Sequence, residues 1–228
     1  MLLAEWIAAN ANGADRNGTH ERAEDENAAQ RNPKERLSMK TIRIKLKGVS
    51  PYLMCKFKET EESPKSTRKM LVVRGTPREE AAKVLYQDEQ GKFFFPSSCI
   101  ERMIRSVAGN HKLKGSRKSA RYVVPAAVRV VEDVVILLNG DGKSEAKDWE
   151  IDSRPVVIQS TKGRVMRHRP RFENWSVCFT LKINDELLEE SFVHELINEA
   201  GDQNGLGDFR IERGGRFGAF QVIEWTSI

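Results

Sequence analysis

The residues of this chain best suited to chemistry are arginines set among glycines near the C-terminus. Residues 205–218 read Gly-Leu-Gly-Asp-Phe-Arg-Ile-Glu-Arg-Gly-Gly-Arg-Phe-Gly, with five glycines and with Arg210, Arg213 and Arg216 at every third position. Glycine admits positive φ and removes the Cβ that would hold a ligand off the backbone. Exposed N–H groups in such a loop can take phosphate oxygens, and each guanidinium adds a planar donor fork matched to phosphate. Gly214, Gly215 and the three arginines are therefore the first candidates for gripping a nucleic-acid backbone, with Asp208 placed to restrain arginines. A dinucleotide-binding loop follows a strand and opens a helix. Here a helix precedes and a strand follows, which excludes that reading and leaves an ordinary long turn as the plain alternative.

Two further segments are basic. Residues 162–172 contain Lys162, Arg164, Arg167, His168, Arg169 and Arg171 interleaved with Val165, Met166 and Phe172, and no acidic residue lies between Asp152 and Glu173. That pattern suits a projecting hairpin that grips a backbone and stacks or wedges against bases; a solvated basic turn is the alternative. The third segment, 111–121, carries Lys112, Lys114, Arg117, Lys118 and Arg121. Each segment alone is compatible with plain solubility. Converging in one groove, they would add their charges through counterion release.

Other chemistry is poorly supported. Asp141, Glu145, Asp148, Glu150 and Asp152 cluster around a turn with no base, metal motif or nucleophile beside them, and read as a solvated loop. Cys55, Cys99 and Cys178 are odd in number, widely spaced and set among apolar neighbours, as buried reduced thiols are. There is no CxxC and no His/Cys pair at ligand spacing, so neither a zinc site nor a cofactor is expected.

The chain has 228 residues, 39% hydrophobic and 31% charged, within the globular range. Its net charge of +5 is uneven. Residues 1–38 hold five Lys/Arg against seven Asp/Glu, which leaves 33 against 26, a net of +7, in the remainder. No apolar run is long enough to span a bilayer and no secretory signal is visible, so a cytoplasmic protein without a membrane partner is expected.

The elements that must position these residues follow from periodicity. Residues 8–36 lack large apolar side chains and cannot offset the entropy of ordering, so 1–38 reads as a disordered extension. From Met39, Ile42, Ile44 and Leu46 alternate with basic residues as in a half-buried strand. Tyr52-Leu53-Met54 is a short apolar return, and 56–69 a charged loop. Thr76-Pro77-Arg78-Glu79 starts a helix with a capping box. Residues 93–96 form a short strand. Ser98 and Glu101 suggest a second capping box, opening a helix with Ile100, Met103, Ile104 and Val107 on one face and Gly109 at its end. Residues 122–138 are strand-like, interrupted by Pro125, Glu132 and Asp133. Asn139-Gly140-Asp141-Gly142 is a turn. Strands are expected at 155–161, 175–183 and 217–225, and a helix over 184–200 with Leu188, Phe192 and Leu196 inward and Gly201 as its stop. The order predicts an α+β fold: a ferredoxin-like (RRM-like) βαββαβ core with an antiparallel sheet. The domain is 39–228, with insertions near 56–75, 110–121 and 140–172.

Gly205-Leu206-Gly207, then Arg210 and Gly214-Gly215-Arg216-Phe217-Gly218 before a final strand, resembles the glycine-rich loop of the repeat-associated mysterious protein (RAMP) superfamily. Phe95-Pro96-Ser97-Ser98 and the helix with Arg102 and Arg105 resemble that family's proline-serine segment, without the glycine and lysine usual there. The resemblance covers roughly 40–228 and implies an RNA-recognition-like palm with a projecting thumb, for which 162–172 is the candidate. It further implies a subunit like the backbone proteins of CRISPR effector complexes, which polymerise along a guide RNA. The leading expectation is thus a non-catalytic single-stranded RNA-binding subunit. Its partners are guide RNA, a complementary target, and copies of itself or related subunits packed side by side. Two alternatives stay open: a metal-independent endoribonuclease of the same superfamily using His111 or His168 as general base, and a solitary phage-encoded protein that binds single-stranded nucleic acid.

Overall fold

The computed structural model describes residues 39–56, 75–157 and 162–228. The expected extension at 1–38, most of the charged insertion at 56–75 and residues 158–161 of the strand expected at 155–161 lie outside the described residues.

Strand β1 (Met39–Gly48) follows the predicted alternation, with Ile42, Ile44 and Leu46 fully buried. After β2 (Tyr52–Leu53) comes α1 (Pro77–Ala82), whose capping box forms. The Thr76 hydroxyl accepts from the Glu79 N–H at 3.3 Å, and the Glu79 carboxylate accepts from the Thr76 N–H at 2.9 Å. The chain continues through β3 (Phe94–Pro96), α2 (Ser98–Val107), α3 (Val124–Ala127), β4 (Val128–Val130), β5 (Val134–Asn139), β6 (Glu150–Val157), β7 (Arg164–Phe172), β8 (Trp175–Asn184), α4 (Glu190–Gln203) and β9 (Phe220–Ser227).

All strand pairs are antiparallel, giving an α+β fold with two sheets. The larger runs β3-β5-β8-β1-β9, with β4 also paired to β8; the smaller runs β2-β7-β6. Ile42, Ile44 and Leu46 of β1 and Val177, Phe179, Leu181 and Ile183 of β8 present one apolar face. Ile100, Met103, Ile104 and Val107 of α2 and Val193, Leu196, Ile197 and Ala200 of α4 complete a single core with it. Each Val, Leu, Ile, Met or Phe side chain among these contributes about 1.5–3 kcal/mol by leaving water. Trp175 closes one end of this core. Its Nε1 donates to the Ser50 carbonyl at 2.8 Å, and Gly48 leaves the space that the indole fills.

Several local expectations are corrected. Ser97, not Ser98, precedes α2, and it makes no side-chain cap. Glu101 instead accepts the Val130 N–H at 3.1 Å, satisfying an edge donor of β4 that no described strand reaches. Helix α2 stops at Val107 and Gly109 sits in the 3-10 turn Ala108–Asn110. The strand expected over 122–138 starts only at Val128: Ala120–Tyr122 is a 3-10 turn, and Pro125 in the first turn of α3 favours helix there. Helix α4 starts at Glu190, since the Asn184 side chain accepts the Glu186 N–H at 3.1 Å and holds a turn before it. It also runs past Gly201, whose missing Cβ admits the Phe220 carbonyl. The stop is Gly205, at φ +70°, with its N–H donating to the Ala200 carbonyl at 2.8 Å. Strand β6 begins at Glu150, which removes Glu150 and Asp152 from the supposed acidic loop; Asp152 is buried and held by Arg154 at 2.7 Å.

Candidate nucleic-acid interface

The glycine-rich loop is folded back on itself. The Leu206 N–H donates to the Gly218 carbonyl at 2.9 Å, Gly218 to Pro51 at 2.8 Å, and Asp208 to Leu53 at 2.9 Å. A Cβ at Gly218 would overlap the Leu206 carbonyl, and one at Gly215 the Phe209 carbonyl. These glycines serve close packing. The N–H groups of Gly214 and Gly215 are also committed, to Ile211 at 2.8 Å and Arg210 at 3.1 Å. The loop therefore offers a ligand its side chains, and the expectation that the backbone at Gly214 and Gly215 cradles phosphate is replaced by that.

Those side chains border a cleft of about 1050 Å³. One wall is the outward face of α2, with Cys99, Arg102, Arg105 and Ser106; another is the loop, with Gly207, Asp208, Arg210, Glu212 and Arg213. Arg121, from the 3-10 turn, and Arg129 of β4 complete the rim. Six arginines thus face three carboxylates, Glu101, Asp208 and Glu212. All three carboxylates are engaged within the protein. Glu101 holds the Val130 N–H, Asp208 pairs with Arg169 at 2.5 Å, and Glu212 takes Arg210 at 2.6 Å and the Ser106 hydroxyl at 2.6 Å. Among the described residues, Arg102, Arg105, Arg129 and Arg213 have no carboxylate at ion-pair distance. The cleft carries positive charge that no described carboxylate pairs with, and guanidinium groups so placed suit phosphate.

Glu212 ties the loop to α2. Its carboxyl lies below its ordinary pKa because the Ser106 hydroxyl, then Arg210, donate to the charged form. A carboxylate whose pKa is lower folded than unfolded stabilises above its ordinary value of 4.5, and that contribution is lost as pH falls through the folded value. Glu212→Gln should therefore be less stable than the wild type at pH 6, and the gap should close as pH drops below about 4.5. Urea denaturation over a pH series checks this.

The basic hairpin is β6–β7. Lys162, Arg164 and Arg167 are exposed along its outer part. The His168 Nδ1 is 2.7 Å from the Ser153 hydroxyl across the pair. Arg169 and Arg171 point to structure, not to a ligand. Arg169 is buried, pairs with Asp208 and lies over the Phe209 ring at 4.8 Å, while Arg171 pairs with Glu173 and, at 3.6 Å, with Glu150. Arg154 covers Phe217 at 4.5 Å. The hairpin is thereby fastened to the glycine loop through Arg169 and Arg154.

The third segment forms a small loop closed by the Lys112–Ser119 bridge and fixed to α4 by His111 and Glu199 at 2.5 Å. Lys112, Lys114, Arg117 and Lys118 are exposed, with Lys114 at 3.4 Å from Glu189. The three basic segments do not converge in this cleft. It takes Arg210 and Arg213 from the first and Arg121 from the third; Arg216, the hairpin residues and Lys112 to Lys118 lie outside its lining. Arg102, Arg105 and Arg129 are the additions. Helical spacing could have found the first two, since residues 102, 105 and 106 share the face opposite Ile100, Met103 and Val107. Alternation between Val128 and Val130 turns Arg129 outward.

The cysteine expectation is also corrected. Cys55 and Cys99 are exposed and line the cleft, and Cys178 is half-buried, accepting from Arg43 Nε at 3.4 Å. Cys55 lies just past the short β2, and Cys99 falls on the outward face of α2, so neither reaches the core. Partial burial raises both thiols above the ordinary range. Among the described residues no group of three His, Cys, Asp or Glu could hold a metal, and no helix is long and apolar enough to cross a membrane.

No protein-family model and no curated protein matches the sequence. Among solved structures, a chain from a cryo-EM structure of a type III-B Cmr-beta bound to cognate target RNA is similar over 99% of this chain and 72% of that one. The TM-score is 0.47 and the sequence identity 12%.

Proposed function

We propose that this chain is a non-catalytic subunit that binds single-stranded RNA, with the arginine-rimmed cleft between α2 and the glycine loop holding backbone phosphates. The observation that carries the reading is the set of cleft arginines, Arg102, Arg105, Arg129 and Arg213, that no described carboxylate neutralises. The strand order supports a ferredoxin-like (RRM-like) core. Taking β1, α2, β5, β8, α4 and β9 as its βαββαβ, the sheet runs β5-β8-β1-β9, and the hairpin and basic loop are insertions. With the loop resemblance, this points to a RAMP-like subunit of a CRISPR-type ribonucleoprotein that lies along a guide RNA beside copies of itself or related subunits. The exposed Lys162, Arg164 and Arg167 would then serve as thumb.

The two histidines considered as bases lie away from the cleft. His111 pairs with Glu199 on α4 and His168 lies between Ser153 and Glu80, so a base at either position would not meet a phosphate held by the cleft arginines. Incubating the protein with labelled single-stranded RNA in EDTA should give a complex with full-length RNA, weakened steeply by salt. Cleavage products would contradict the non-catalytic role. DNA of matched sequence should compete poorly; DNA displacing RNA would favour a single-stranded DNA-binding protein.

A further inference from the structure

The cleft has two chemically distinct parts. Its rim is charged and exposed: Arg102, Arg105, Arg121, Arg129 and Arg213. Its floor is apolar and aromatic, built on buried Tyr52, Phe95, Met103 and Leu206, with the half-buried Tyr86 ring beside them. A site for phosphate alone needs only the rim. An apolar floor ringed by guanidinium groups matches a molecule with a flat apolar body and anionic ends, and unstacked bases are held against aromatic rings and guanidinium planes in this way.

A second observation concerns the cleft wall. Arg169 lies behind it, outside the cleft lining, and braces Asp208 from the protein side. Cys55 and Cys99 are exposed at the same place.

Resting on the RNA-binding reading above, we infer that the cleft floor seats one unstacked nucleobase while the rim arginines hold the phosphates on either side of it. The site recognises a nucleotide within a strand, not phosphate alone.

The test is thiol protection in the full chain. Cys55 and Cys99 line the cleft and Cys178 does not, so maleimide labelling reports occupancy of the floor with an internal control. The probes are a short single-stranded RNA, the same backbone without bases, and inorganic polyphosphate. RNA should protect Cys55 and Cys99 and leave Cys178 unchanged, while the abasic strand should bind in a salt-dependent way without protecting them. Tyr86→Leu should weaken RNA binding about tenfold and leave abasic binding unchanged. RNA that binds without protecting the thiols, or an abasic strand or polyphosphate that protects them equally, overturns the base seat and leaves RNA binding standing. No binding of any strand overturns both.

Discussion

Replacing Asp208 by alanine is expected to free the glycine loop from the hairpin and lower stability by about 2–3 kcal/mol, the discounted end of the range for breaking a buried ion pair, because the Asp208 side chain is one-third open to solvent. The cost comes from what is left behind. Arg169 is 8% exposed and already has one nitrogen without a partner. Without Asp208 it keeps its stacking on Phe209 and its contact with the Cys55 thiol, neither of which carries a countercharge, and an uncompensated buried charge is far more costly than a missing surface pair. The loop should loosen with it, because Asp208 also accepts the Phe209 N–H at 2.9 Å. Asp208→Asn keeps an acceptor but not the charge and should fall between the two. Urea unfolding monitored by tryptophan fluorescence measures the effect. If the fastening is as described, Asp208→Ala should also weaken RNA binding, although Asp208 is acidic and its removal raises the net positive charge.

The second large effect concerns the rim. Arg102→Ala, Arg105→Ala and Arg213→Ala together should lower affinity for single-stranded RNA about a hundredfold at low salt. They should also reduce the slope of log K against log salt by about 2, since each single-strand phosphate contact contributes roughly 0.7. All three side chains are exposed and outside the core, so thermal stability should change little. A triple change at Lys112, Lys114 and Lys118 removes the same charge elsewhere. It should lower affinity much less, which separates a site from a general field effect.

What the sequence made legible depends on the range over which it acts. The alternation in β1, the capping box at Thr76 and the apolar stripe of α2 are local signals, and all three are found in the structure. Local signals also misled where a distant partner decided the outcome. Glu101 looks like a capping residue until β4 arrives with an unpaired N–H. Gly201 looks like a helix stop until the Phe220 carbonyl needs its missing Cβ. Arg169 looks like a ligand contact in a basic run, but its partner Asp208 is brought in from another part of the chain. The glycine loop was visible as a composition anomaly; its role as a scaffold for side chains, with its N–H groups already used, was not. Arg129 and the α2 arginines enter the site only because the loop packs across the helix, and that is a property of the tertiary fold.

On the proposed function, the nucleic acid is seated chiefly in the cleft between α2 and the glycine loop, with the runs 112–118 and 162–172 at most secondary contacts. Ultraviolet crosslinking of the full chain to single-stranded RNA, with the attached peptides located by mass spectrometry, tests it most directly. Crosslinks should concentrate in residues 98–106, 121–129 and 205–213. Crosslinks confined to 112–118 and 162–172, with none in the cleft, would contradict it.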